Sequence, residues 1–483
     1  MLTASSFSSK SRVANRLRAS SAQLRPIAIL TAALAVQLLT LHPARAQTLA
    51  DQATDPTVLK QIIIYGRHSI RSSTVPDAVL ATFAPQSYPS FGVPPGYLTP
   101  NGARAEVLLG SYFRNYLLAE GLLTGADAVD ARRSYFRANS IQRSNVTAAS
   151  LAAGLMPGAA VPVHSYPLGQ TDPVFDPIAA NVAVVIPERA AQEVSGMFNG
   201  AALPSAMSAE ISLLRSVLYN YPNGTQPVPS TPAGLVDPTA GPIPLSANTG
   251  TVQTGTVINE GSLSNIFYAK DAFLMQYADG MPLESVAWGR LSLSELSQET
   301  RLDTLVFAIE TASPYLAQVQ GSNAAAHILR SMEQAARGRR VPGAFGGPAT
   351  NLLGIISSDA YVIALASLLH LHWQLPGYQQ DFAAPGGALV FELRQVRSTG
   401  EYVVRVYYTA QTFDQLRNLT PLTTDQPPAT MQLLIPDGDQ ADTSLDVSFS
   451  KFKELMTKAI NLYYVQDPAE ETPPGPLTGV PLK

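Results

Sequence analysis

One short run concentrates residues that could do chemistry: Arg67-His68-Ser69-Ile70-Arg71. Two guanidiniums flanking an imidazole suit a phosphate group, because arginine offers a rigid fork of donors matched to phosphate oxygens. Neutral imidazole is a competent nucleophile near neutral pH, so a histidine held there could attack phosphorus. Five residues alone favour a chance surface cluster, and the motif needs support from the rest of the chain.

Competing catalytic patterns are missing. There is no Walker loop, no G-x-G-x-x-G, no H-E-x-x-H and no G-x-S-x-G. A Ser-His-Asp triad using Ser358 stays open, because triads are spatial. His370-x-His372 makes a poor metal pair, since a third ligand is missing. No metal and no cofactor is therefore expected.

Support comes from downstream blocks, through which the chain resembles the histidine acid phosphatase family, in its bacterial phytase and glucose-1-phosphatase branch. The family signature R-H-G-x-R-x-P reads here Arg67-His68-Ser69-Ile70-Arg71-Ser72-Ser73. The likeness continues through Leu98-Thr99-Pro100-Asn101-Gly102, Arg143 ahead of Thr147, and Gly154-Leu155-Met156-Pro157. It resumes at Tyr277 to Pro282, Trp288-Gly289-Arg290 and Pro385 to Glu392. The resemblance implies His68 as a nucleophile forming a phosphohistidine. It also implies Arg67, Arg71 and Arg143 as clamps on the phosphate oxygens, neutralising charge in the transition state.

The last family motif is H-D, whose aspartic acid protonates the leaving alcohol. Counting back from His372-Trp373-Gln374-Leu375-Pro376-Gly377, the matching stretch is Ser357-Ser358-Asp359. The acid is kept as Asp359, but Ser358 stands where the family has a phosphate-contacting histidine. Serine can donate one hydrogen bond and carries no charge. By analogy with the loss of one transition-state donor, the rate should fall by roughly two to three orders of magnitude. Ser69 replaces the usual glycine, Ser73 replaces a proline that would stiffen the loop, and Val75 stands where phytases often place a lysine. A phosphate monoester of modest charge is thus expected as substrate, rather than a highly phosphorylated inositol. No other histidine compensates for Ser358. His370 and His372 lie over ~15 Å from Asp359 along an apparent helix at ~1.5 Å per residue. Packing is the expected role of these two and of His164 and His327.

The elements that must position these groups can be read from the periodicity. Leu59 to Tyr65 is a β-branched, apolar run of the kind buried in a parallel sheet, and it ends at Gly66 beside the cationic cluster. After a Pro/Ser/Gly-rich loop, Thr99 can cap a helix with Pro100 at its first position, running to Leu118. Ser134 to Ala138 reads as a strand, followed by Arg143 and a helix through Ala153; Val161 to His164 and Val182 to Pro187 continue the alternation. Helical spacing governs Leu263 to Tyr277 and Ser292 to Ala336. Strand character returns at Asn351 to Ile356, Gly387 to Leu393 and Tyr402 to Tyr408. The fold expected is α/β, a phosphoglycerate-mutase-like sandwich with a mixed, mostly parallel central sheet flanked by helices, plus a mainly α-helical insertion.

Composition bounds the rest. With 483 residues, 46% hydrophobic and 14% charged, the chain can bury a large core. Its formal charge of -4, from 32 basic and 36 acidic residues, argues against nucleic acid as a partner. The absence of cysteine removes disulfides and thiolate chemistry. Lys10, Arg12, Arg16, Arg18 and Arg25 precede the apolar run Ile27 to Leu41, and Ala44-Arg45-Ala46 follows. This is the pattern of an export signal cleaved near Ala46, leaving a protein that starts around Gln47, with no stable membrane anchor, in the periplasm or outside the cell.

The expected organisation is a signal peptide over 1–46, an α/β phosphatase-like domain from 47–165 and 337–466, and a helical insertion over 166–336. The insertion carries a Pro/Gly-rich loop at 219–257, and 467–483 form a disordered tail. The function expected is hydrolysis of small phosphate monoesters. The alternatives are an impaired or repurposed relative binding an anionic sugar or polyol, or a different hydrolase chemistry in the same cleft.

Overall fold

The computed structural model describes residues 55–197, 207–221, 230–239, 262–440 and 444–467. The expected export signal, most of the 219–257 stretch and the tail from residue 468 lie outside the described residues.

Strand β1 (Thr57–Arg67) organises the molecule. It is buried on both faces, which is why it reads as a continuous apolar run rather than an alternating one. Ile62 and Ile64 face one layer, with Leu109, Phe113, Leu151 and Leu155. These come from α1 (Pro100–Ala119) and α2 (Gln142–Leu155). Ile63 and Tyr65 face the other, with Ala324, Ile328, Val362 and Leu365. That layer is built by α7 (Pro314–Arg337) and α8 (Asp359–Leu368). Each such side chain contributes about 1.5–3 kcal/mol on burial, so a one-residue slip would bring each onto the wrong layer.

Among the described residues eight strands form the sheet: β1, β2 (Ser134–Ala138), β3 (Val163–His164), β4 (Leu352–Ser357), β5 (Ala388–Val396), β6 (Tyr402–Ala410), β7 (Ala429–Gln432) and β8 (Val447–Ser448). Their order is β3-β2-β4-β1-β5-β6-β7, with β8 on β6. β3, β2, β4 and β1 pair parallel, whereas β1 with β5 and all later pairs are antiparallel. The sheet is mixed, as expected, with its parallel pairing confined to one half. β5 and β6 are joined by only five residues, 397–401, a connection too short for parallel pairing.

Between β3 and β4 the described residues are mainly helical, through α3 (Pro187–Met197), α4 (Ser208–Tyr219), α5 (Ser262–Ala278), α6 (Leu293–Phe307) and α7. A π-turn at Ala308–Ala312 joins α6 to α7. The strand expected at Val182 to Pro187 does not form. Val184 and Ile186 are 67% and 52% exposed, and Pro187 opens α3 instead. An apolar run without a sheet edge beside it gains nothing from extension.

α1 starts as its sequence dictates: Thr99 is the N-cap and accepts from the Gly102 N–H at 3.0 Å, with Pro100 at the first helical position. Gly102 lets this helix dock on the loop after β1, since a Cβ there would lie 2.3 Å from the Ile70 carbonyl oxygen. Among the described residues, no helix is long and apolar enough to cross a membrane.

Candidate active site

The carboxyl ends of β1 and β4 lie side by side, with Arg67 paired to Ser357. Open α/β sheets present ligand sites at such ends. β1 delivers Arg67 and His68 there, and β4 delivers Ser358 and Asp359 at the start of α8. The loop after β1 is tied down locally: Arg71 bridges to Leu98, and the Thr99 N–H donates to the Ile70 carbonyl at 2.9 Å.

His68 is 1% exposed. Its Nδ1 lies 2.9 Å from the Ser69 carbonyl, which can only accept, so Nδ1 carries the hydrogen and Nε2 the lone pair. Burial and then the guanidiniums of Arg143, Arg71 and Arg67 hold its pKa well below the ordinary 6.5. The structure therefore brings together Arg67, Arg71 and Arg143 around one imidazole, although Arg143 comes from α2, far along the chain.

Each guanidinium has a different anchorage. Arg67 pairs with Asp359 at 2.9 Å. Arg71 forms a fork with Asp271 of α5 at 2.5 and 3.0 Å, and the pair keeps Arg71 charged and Asp271 ionised against the cost of burial. Arg143 reaches the Gly96 carbonyl at 3.2 Å and forms no ion pair with a carboxylate among the described residues; burial and Arg71 push its pKa down. Asp359 opens α8 and accepts from the Ala360 N–H at 3.0 Å. Ser358 is the N-cap of that helix, yet its hydroxyl makes no capping hydrogen bond. It is half-buried beside the site, with its donor uncommitted among the described residues.

The remaining histidines sit elsewhere. His327 is buried in α7, its Nδ1 2.6 Å from the Gly343 carbonyl. His164 stacks on Tyr135. α8 stops at Leu368, so His370 and His372 do not continue it as the spacing implied; His370 adopts a left-handed φ of 52°. His372 is exposed and pairs with Asp381 at 2.8 Å. No group of three or more His, Asp or Glu side chains able to hold a metal occurs among the described residues.

The motif-based reading missed several acids near the cluster. Asp271 was invisible because its partner lies 200 residues away. Its only trace was the Lys270-Asp271 pair inside an apolar helical stripe. Lys270 in turn pairs with Asp303 of α6 at 2.6 Å. Glu310 in the π-turn is buried and its pKa is pushed up to about 8 by burial and by Asp359. Asp176 accepts from the Tyr361 hydroxyl, and its pKa is pushed up to about 6, chiefly by burial.

Comparison with known proteins bears on this arrangement. The family described as the histidine phosphatase superfamily, branch 2, matches residues 267–409. The chain is 26% identical to a glucose-1-phosphatase of Providencia rettgeri over 405 residues, 83% of this chain and 92% of the relative. Over most of its length it is similar to histidine acid phosphatases. It is likewise 26% identical to phytase AppA of Escherichia coli K12 over 438 residues, 87% of this chain and 96% of that one. The Hafnia alvei phytase solved in complex with tartrate superposes with a TM-score of 0.71 at 25% identity, covering 85% of this chain and 99% of the other. The Citrobacter braakii phytase shares the fold, with a TM-score of 0.72 at 23% identity, over 84% and 99%. Hydrolysis of phosphomonoesters is the chemistry of the histidine phosphatase superfamily, and this chain is an enzyme of that class.

Proposed function

We propose that this protein is an exported histidine acid phosphatase and hydrolyses sugar-phosphate-like monoesters through a phosphohistidine on His68. The observation that carries the reading is the convergence of three guanidiniums on one buried imidazole. Burial, and then their positive charge, hold the His68 pKa well below that of a free histidine, which favours the neutral, nucleophilic imidazole.

In this reading Arg67, Arg71, Arg143 and the Ser358 hydroxyl take the phosphate oxygens. Nε2 of His68 attacks phosphorus, the P–O bond to the alcohol breaks, and Asp359 gives its proton to the departing oxygen. Water then attacks the phosphohistidine, Asp359 takes a proton from it, and inorganic phosphate leaves with the imidazole regenerated.

Charge balance supports a substrate with a single phosphate. Arg67 and Arg71 already have Asp359 and Asp271 as partners, and the nearby Lys270 has Asp303. Of the three arginines, Arg143 lacks an ion-pairing carboxylate among the described residues, and Arg67 is freed when Asp359 carries the proton it donates, so the site can neutralise one dianion but offers little to the additional phosphates of phytate. Val75, where phytases often carry lysine, points the same way. Export rests on the basic and apolar pattern ahead of Ala46.

Ser358 favours a second reading, in which the site binds an anionic sugar or polyol with little turnover. One experiment separates the two. The mature protein from Gln47 is assayed against p-nitrophenyl phosphate, glucose 1-phosphate and inositol hexakisphosphate in acid, with His68→Ala as control. Turnover of the first two that vanishes in the variant, with labelled phosphate trapped on the wild type in base-stable form, is the expected result. Undiminished turnover in His68→Ala would rule out the phosphohistidine, and phosphate binding without turnover would favour the second reading.

A further inference from the structure

A carboxyl group lies where the reaction described above has no use for it. Glu106 stands on the buried stripe of α1, is 1% exposed, and its Oε1 has no hydrogen-bond partner among the described residues. The two backbone segments that hold His68 close over it. On one side is Ser69, whose carbonyl receives Nδ1–H of His68 and whose N–H donates to Thr147 Oγ1 at 3.1 Å. On the other is Gly386, whose N–H donates to the His68 carbonyl at 3.2 Å. Gly386 has a φ of +70°, and a Cβ there would lie 2.2 Å from Glu106 Oε1 and 3.4 Å from Ser69 Oγ. The carboxyl is therefore seated against both segments at once.

We propose that Glu106 is a positioning residue for the nucleophile: wedged between Ser69 and Gly386, it fixes through them the His68 ring that attacks phosphorus. This rests on the reading of His68 given above. The tolerance is narrow, because a displacement of about 1 Å at a reacting group can cost roughly a hundredfold in rate.

The surroundings make Glu106 a neutral acid under working conditions. Arg67 and Arg71 flank Ser69 on the same loop, but their charged ends turn to Asp359 and Asp271. Arg104 of α1 is exposed, while Thr147 of α2 and the segment at Gly386 carry no charge. Burial pushes the carboxyl up to about 8, against the pull of the Ser69 hydroxyl. Below that value the acid has a proton to donate toward Ser69. Above it, an unpaired carboxylate must leave its seat or draw in water, and it sets negative charge behind a site built for a dianion.

The test uses Glu106→Gln, Glu106→Leu and Ser69→Ala in the mature chain. It reads kcat and KM for p-nitrophenyl phosphate, and the affinity for inorganic phosphate by calorimetry from about pH 5 to about pH 9, spanning the buried acid's titration. Wild-type phosphate affinity should fall above about pH 8. Glu106→Gln should abolish that fall while keeping kcat at pH 5 within about threefold, since an amide still donates. Ser69→Ala should move the fall to higher pH, because it removes the group that favours the charged form. Glu106→Leu should lower kcat about tenfold with KM little changed, a displaced nucleophile being a rate effect rather than a binding effect. A phosphate profile unmoved in both Glu106→Gln and Ser69→Ala would overturn the proposal even if the leucine variant fails to fold, as would wild-type kcat in Glu106→Leu. Activity in His68→Ala equal to wild type would instead sink the phosphohistidine reading and leave the phosphate profiles to stand alone.

Discussion

At the scale of single residues, the departure from the family is Ser358. It directly precedes Asp359 and its hydroxyl makes no capping hydrogen bond, so it can give one neutral hydrogen bond where an imidazolium would give a charged one. Ser358→His should therefore raise kcat/KM for p-nitrophenyl phosphate by about tenfold to a hundredfold, and an unchanged value would mean that the position does not reach the phosphate. Asp359 is tested by leaving group. Asp359→Asn should cost about 10²- to 10⁴-fold with glycerol phosphate, whose alkoxide needs a proton, and far less with p-nitrophenyl phosphate. The residues in these predictions were legible in the sequence because they sit in contiguous motifs, Arg67 to Arg71 and Ser358-Asp359. Asp271 was not, since only folding brings α5 against the first loop. Glu106 was half legible: it shares the stripe of Ala103, Leu109, Gly110, Phe113 and Leu117, and a carboxyl on a buried stripe announces a special environment without naming its neighbours.

At the scale of elements, what matters is how α1 docks. Its capped start and Gly102 bring the helix against Ile70, so the nucleophile loop has a wall behind it. Gly102→Ala would set a methyl 2.3 Å from the Ile70 oxygen. The loop or the helix must then move, and about 1–3 kcal/mol of stability should be lost together with most of the activity; thermal unfolding and kcat measured on one preparation check both. This cap, like β1, β2, β4 and β6, could be read from spacing alone, because local signals and tertiary burial agree there. Val182 to Pro187 could not. A run of β-branched and apolar residues describes a strand only where a ladder partner exists, and no strand pairs with this run among the described residues. The end of α8 was misjudged for a related reason: nothing in the composition of Leu368 to His372 marks the left-handed turn at His370.

At the scale of the whole molecule, the buried titratable groups set a preferred pH. Glu106 and Glu310 are each raised from 4.5 to about 8, Asp176 and Asp279 are raised from 3.8 to about 6, and burial also raises Glu299. A carboxyl raised on folding holds its proton more tightly in the native state. Its contribution to stability is complete below the unfolded value and is lost as pH rises through the folded one. These groups therefore favour the fold in acid and withdraw their support between about pH 4 and about pH 8. The depressed histidines, His68, His164 and His327, run the other way. His68 lies well below 6.5 and His327 at about 4, so their contribution is present above 6.5 and is lost as pH falls toward the folded values. Asp55, lowered to about 2, likewise holds its contribution until strongly acid pH. With more raised carboxyls than depressed histidines, the opposing slopes should cross in mild acid. Thermal unfolding should give its highest midpoint between about pH 5 and about pH 6, with a steady decline toward about pH 8. Glu310→Gln, which removes one raised carboxyl without emptying its space, should flatten that decline. A midpoint still climbing between about pH 7 and about pH 9 would show that these carboxyls are ionised in the folded protein, and the pocket around His68 would then lack the acid-side bias that keeps its chemistry working where free histidine fails.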